Sequence, residues 1–116
     1  MSLDTNLKNQ IKEYFELLES EVIFSLDADE SQDSVKMKEF LKEVVSLSDK
    51  LSIRETQLKR TPSFRLDTKN KVGNIVFSMI PLGHELSTFI LATLQVSGRA
   101  PKVDQHVIDQ INQIDQ

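Results

Sequence analysis

The hydrophobic period of this chain changes within a few residues, and that change limits what its second half can fold into. Over residues 74–80 the apolar positions alternate, so that Ile75, Phe77 and Met79 share one face, as in a strand. From Leu86 onward, Leu86, Phe89, Ile90, Thr93 and Leu94 recur at helical spacing. Pro81 and Gly83 mark the turn between the two periods. His84 and Glu85 stand at the start of that helix, and they are the residues the sequence connects most directly with chemistry. The rest of the chain reads as a scaffold for this junction.

Length and composition bound the alternatives. A chain of 116 residues makes one domain with a single core. Its 39% hydrophobic and 28% charged residues are ordinary for a globular domain. The formal charge of −4 gives no electrostatic reason to expect nucleic acid or an anionic membrane surface as a partner. The chain has no cysteine, which excludes disulfides, thiolate metal sites, cysteine nucleophiles and dithiol chemistry within it. No apolar run approaches the roughly 18 residues of a membrane-spanning helix, and the N-terminus lacks an apolar signal region. A cytoplasmic location is the default expectation.

The remaining elements follow in order. Leu3, Leu7, Ile11, Tyr14, Phe15 and Leu18 form one stripe, which predicts a helix over 3–19, capped by Asp4 or Thr5. Residues 21–26 are short and nearly all apolar, as a central strand buried on both faces would be. The acidic stretch 27–33 lacks the glycine and ligand spacing of a calcium loop, so it reads as a solvated loop favouring the next helix start. A helix is expected over 34–48, with Met37, Phe40, Leu41, Val44 and Val45 inward. A strand over 51–55 and an exposed basic loop with Lys59 and Arg60 come next. Phe64 and Leu66 then alternate as in a strand, with Pro62 at its entrance, where a missing N–H does least harm. Residues 67–73 form a turn between antiparallel strands, and the 74–80 strand and the 83–96 helix follow, with Gly98 as C-terminal cap. Val103, Val107, Ile111 and Ile114 predict one more amphipathic helix over 102–115, and the chain then ends as if a longer protein had been cut.

The resulting β-α-β unit followed by β-β-α predicts an α/β sandwich on a four-stranded mixed sheet, with an extra N-terminal helix and a C-terminal helix. The first strand pair is parallel by the crossover rule and the last is antiparallel. With a proline leading the third strand, this is the element order of a thioredoxin-like domain. The collinear set of Leu3-Asp4-Thr5-Asn6, Leu47-Ser48-Asp49-Lys50, Pro62-Ser63-Phe64 and Pro81-Leu82-Gly83-His84-Glu85 resembles the N-terminal domain of the alkyl hydroperoxide reductase F subunit. That family consists of flavin-dependent NADH:peroxiredoxin oxidoreductases. The resemblance extends to Ile111-Asn112-Gln113-Ile114-Asp115. It implies two thioredoxin-like modules in tandem ahead of a body that binds FAD and NADH. The first module lacks redox cysteines, and the second carries a Cys-x-x-Cys pair that passes electrons to a peroxiredoxin. Residues 1–100 would be the silent first module, and 101–116 a linker helix into the second. Ala28-Asp29-Glu30-Ser31 or its neighbours would stand where the dithiol sits in active relatives. Pro62 would take the position of the cis-proline. A homodimeric full-length protein is compatible with the resemblance.

The resemblance also implies that Glu85 lies close to the dithiol of the neighbouring module, with His84 beside it. A carboxylate there disfavours the thiolate and can carry a proton during exchange. The plainer reading is that Glu85 favours its own helix start and His84 is a surface or capping residue. His106 reads as a structural or surface residue. Two functions from different classes follow. One is a non-catalytic module that positions and tunes the adjacent dithiol module. The alternative is a stand-alone interaction domain with a degenerate thioredoxin fold. An acid/base enzyme using His84 and Glu85 ranks below both, because adjacent helical residues diverge and no third group orients them.

Overall fold

The computed structural model describes residues 5–81 and 85–98. The expected helix over 102–115, His106, and Leu82, Gly83 and His84 of the junction lie outside the described residues. Seven elements follow in chain order: α1 (Thr5–Phe15), β1 (Val22–Asp27), α2 (Gln32–Val45), β2 (Leu51–Glu55), β3 (Ser63–Asp67), β4 (Val76–Phe77) and α3 (Leu86–Val96). The sheet order is β2-β1-β3-β4, with β1 parallel to β2 and antiparallel to β3, and β3 antiparallel to β4. This is the four-stranded mixed sheet expected from the sequence, with β1 at its centre.

Capping and tightening of turns shift the helix boundaries away from those the hydrophobic stripes suggest. α1 ends at Phe15 rather than 19 because the next turn narrows: Leu17 N–H donates to Tyr14 O at 3.0 Å and Leu18 N–H to Phe15 O at 3.2 Å. That turn keeps Leu18 in the core beside Ile11 and Phe15. α2 starts at Gln32, two residues before the expected position, because Ser31 Oγ accepts the Ser34 N–H and caps the helix. The helix stops at Val45, where Leu47 N–H turns back to Val44 O. Gly98 closes α3 at φ 114°, a conformation open to glycine but rare for other residues.

β4 is the largest departure. A strand over 74–80 was expected, and only Val76–Phe77 pair. The register Phe64↔Phe77 sets Pro62 opposite Met79, and a proline has no N–H to extend the ladder. At the other end, Gly73 N–H goes to the Asp67 carboxylate instead of a strand partner. Met79 therefore does not share the inner face with Ile75 and Phe77 but is 60% exposed.

Strand alternation divides the sheet into two unlike faces. Phe24, Leu26, Phe64 and Leu66 point to one side and are fully buried. On that side Phe89 of α3 lies 5.7 Å from Phe24, Phe40 of α2 and Phe77, and 5.8 Å from Phe64, measured between ring centroids. α1 joins this core through Ile11 and Phe15 and packs on α3. The other side carries Ser25, Arg54, Arg65 and Asp67. β1 is thus central, but its second face is covered by polar partners and not by the apolar layer the sequence suggested.

Candidate functional site

Three segments that are distant in sequence meet at one end of the sheet. The start of α2, the turn into β3 and the approach to α3 enclose a cavity of about 280 Å³ lined by Asp33, Met37, Pro62, Ser78, Met79 and Ile80. The Thr61–Pro62 peptide bond is cis. The structure therefore brings Pro62 together with the strand side of the junction.

The turn before α2 is closed by its own hydrogen bonds. Asp29 Oδ1 accepts from Ser31 N at 2.9 Å and from Ser34 Oγ at 2.7 Å, and Asp29 N donates to Ser34 Oγ at 3.0 Å. With Ser31 Oγ on Ser34 N–H, the segment makes a small ring of mutual contacts at the helix start. Hydrogen bonds from Ser31 and then Ser34 hold the Asp29 carboxyl at a pKa of about 2. Asp29 is exposed, and Ser34 is buried beneath it. These side chains can fix a turn. They cannot exchange a disulfide or carry electrons.

Glu85 occupies the N-cap position of α3, exposed, and its side chain makes no capping hydrogen bond. Its position at the helix start still sets a negative charge at the positive end of α3, as the plainer reading has it. His84, the other residue singled out at the junction, lies outside the described residues.

Sequence reasoning passed over a second polar cluster, on the opposite face of the sheet. Asp67 is fully buried, and Arg65 grips it through two bonds, Nε to Oδ1 at 2.9 Å and a terminal nitrogen to Oδ2 at 3.0 Å. Arg54 adds a third cationic contact at 2.8 Å to Oδ2. Ser25 Oγ donates to the same oxygen at 2.6 Å, and Gly73 N–H to Oδ1 at 2.7 Å. Burial works against the charge, but Arg65, Ser25 and the Gly73 N–H outweigh it, and the pKa falls to about 2. Gly73 has no room for a side chain, since a Cβ there would stand 1.9 Å from Leu66 O. The signal was present in the alternation Ser63-Phe64-Arg65-Leu66-Asp67, whose odd positions are polar. Among the described residues no group of three or more His, Cys, Asp or Glu side chains is placed to hold a metal ion, and no helix is long and apolar enough to cross a membrane.

With this geometry in view, comparison with known proteins is specific. No family model matches the chain. A Bacillus subtilis protein named NADH dehydrogenase is 43% identical over 114 residues, 98% of this chain and 22% of that protein. The alkyl hydroperoxide reductase F subunit of Staphylococcus aureus is 43% identical over 113 residues, 97% of this chain and 22% of that protein. The chain is homologous, over nearly its whole length, to a part of these two relatives. It spans about a fifth of the length of these relatives. Its fold is that of the N-terminal domain of the Enterococcus faecalis alkyl hydroperoxide reductase, with TM-score 0.77 and 23% identity over 91% of this chain and 58% of that one. A protein disulfide oxidoreductase from Aeropyrum pernix shares the fold at TM-score 0.72 and 12% identity, over 91% of this chain and 53% of that one. The thioredoxin-like α/β fold expected from the element order is therefore the fold observed.

Proposed function

We propose that this chain is the redox-silent thioredoxin-like module of an F-subunit-type peroxiredoxin reductase. In this reading residues 1–100 are the module, and 101–116 lead into a second module that carries the working dithiol. The chain positions that dithiol module and tunes it through Glu85, with His84 beside it. Electrons supplied by NADH and FAD in the body of the protein reach a peroxiredoxin through the second module, in the cytoplasm, and none of the transfers uses a group of this chain.

One observation carries the reading. At the start of α2, where the resemblance puts the dithiol of active relatives, Asp29, Ser31 and Ser34 make a hydrogen-bonded turn without cysteine, and the Thr61–Pro62 bond is cis, in a chain 43% identical to an alkyl hydroperoxide reductase F subunit. The framework around a thioredoxin-type site is kept while the reacting atoms are gone. That combination suits a structural partner of an active module and does not suit an enzyme. The exposed carboxylate of Glu85, which makes no capping hydrogen bond, is compatible with the tuning role.

Two measurements test the proposal. The 116-residue chain should give no turnover in insulin reduction with dithiothreitol, and thiol-reductase activity in it would overturn the reading. In the full-length protein, Glu85→Gln removes a negative charge beside the dithiol. The thiolate then forms more easily, and the pH profile of disulfide exchange in the second module should move to lower pH. A superimposable profile would leave Glu85 as an ordinary residue at a helix start.

A further inference from the structure

Beyond the junction, the molecule has a basic groove on the polar side of the sheet. Its volume is about 580 Å³, and Leu58, Lys59, Arg60, Arg65, Val76 and Ser78 line it. The backbone that presents the two leading cations is fixed on both sides. Leu58 N–H donates to Asp27 Oδ2 at 2.7 Å, Thr61 Oγ1 donates to Asp27 Oδ1 at 2.9 Å, and Ser63 Oγ donates to Arg60 O at 2.6 Å. Asp27 is spent on the loop itself. Lys59 and Arg60 are exposed and enter no ion pair among the described residues. Arg65 is committed to Asp67. The Asp27 carboxylate accepts from neutral groups and keeps its charge, so Lys59 and Arg60 leave the loop with one net positive charge in a chain of net charge −4.

The lining narrows the choice of occupant. Val76 is 48% exposed and gives the groove an apolar patch on the side of β4. Val76 pairs with Arg65 of β3, and both line the groove, so an extended segment can lie over these side chains on the face of the sheet. A nucleic acid is a poor match. The groove has no aromatic ring for a base to stack on, and two free cations in an acidic chain give a weak phosphate field. Carboxylates on an extended backbone match both the charge and the shape.

We propose that the groove between the 57–60 loop and β4 docks an extended acidic segment of a partner polypeptide, with carboxylates on Lys59 and Arg60 and an apolar side chain on Val76. This does not depend on the role of Glu85 or on a dithiol module, and it holds or fails separately from the reading above.

The test uses the 116-residue chain and a fluorescein-labelled octapeptide of alternating glutamate and valine, followed by anisotropy. The double variant Lys59→Glu/Arg60→Glu should weaken binding by at least about tenfold, as reversal of two interfacial charges does. Lys36→Glu/Lys42→Glu on the exposed side of α2 makes the same change in net charge and should weaken it by no more than about twofold, the screened long-range field alone. Val76→Ser should weaken it by a smaller factor with the charges intact. Equal losses in the two double variants would overturn the proposal, because the attraction would then belong to the chain's general field. So would equal binding of the lysine–valine octapeptide, or no binding at all. Displacement of the peptide by inorganic phosphate at the peptide's own concentration would show a small-anion site instead, and tighter binding of a single-stranded oligonucleotide a nucleic-acid site. Either would sink the polypeptide assignment.

Discussion

The two faces of one sheet are built from alternate residues of the same strands, yet they do different work. Val22, Phe24 and Leu26 face the apolar core, where Phe24 is one of a cluster of five phenylalanines. Ser25, one residue along, faces Asp67 and two arginines. The first face gains stability from area removed from water, which is non-directional and tolerant of small shifts. The second gains it from donors and acceptors that must meet at fixed distances, and it holds charge in place. The first face alone carries the apolar core of the domain. The second face is where specific contacts with other molecules are open to it, since it leaves charged groups at the surface.

The contrast is broken most directly on the apolar side. Phe89 touches the rings of Phe24, Phe40, Phe64 and Phe77, so it joins both layers of the core. Phe89→Ala should cost about 3–5 kcal/mol, the usual range for a large buried aromatic truncated to alanine. Phe40→Ala should fall toward the lower end of that range, since one ring contact of Phe40 is seen. Urea unfolding of both variants followed by circular dichroism measures the difference. A loss under about 1 kcal/mol at Phe89 would mean that the helices do not rely on this cluster.

Asp67 tests the polar face. Asp67→Asn removes the charge that Arg54 and Arg65 share while keeping the shape, and should cost about 2–3 kcal/mol, somewhat below a fully buried broken pair because Arg54 is half exposed. Its pKa, lowered to about 2, also makes a pH prediction. A carboxyl depressed in the folded state contributes its stability above the unfolded value near 4, and loses it as pH falls through the folded value. Between about pH 4 and pH 2 the native chain should therefore lose about 1–2 kcal/mol that Asp67→Asn does not lose. Parallel urea titrations at these two pH values check it. Identical acid sensitivity in the two proteins would assign the loss to other carboxylates, such as Asp29.

How much of this was legible in the sequence depends on whether a feature is local. The change of period at 80–86 located α3, and the apolar stripes located α1 and α2, because both signals lie within one element. The ends of those elements were set by single hydrogen bonds, such as Ser31 to Ser34, which a stripe does not show. The expected β4 is longer than the observed one because its apolar alternation runs on past the point where the partner strand begins at Ser63, just after Pro62. The polar network needs three strands in register before Arg54, Ser25 and Asp67 can meet, and spacing along the chain does not give strand order. Lys59 and Arg60 were visible as a basic loop, but the groove beneath them appears only when β4 folds back beside β3. The junction itself is half described. Glu85 is placed at its helix start, and the residue beside it lies outside the described residues.

The smallest expected effect separates the two arginines. Both reach Asp67, but Arg65 does so through two bonds with its side chain 20% exposed, and Arg54 through one with 49% exposed. A bidentate pair held away from water is worth more than a single contact screened by it. Arg65→Met should therefore cost about 1–2 kcal/mol, and Arg54→Met about 0.5 kcal/mol. The double variant should cost more than the sum, because the first removal leaves one cation to neutralise a buried carboxylate and the second leaves none. If instead the two single losses were equal and additive, Asp67 would be stabilised mainly by Ser25 and the Gly73 N–H. The second face would then depend on hydrogen bonding more than on charge, and the arginines would be free to serve a partner.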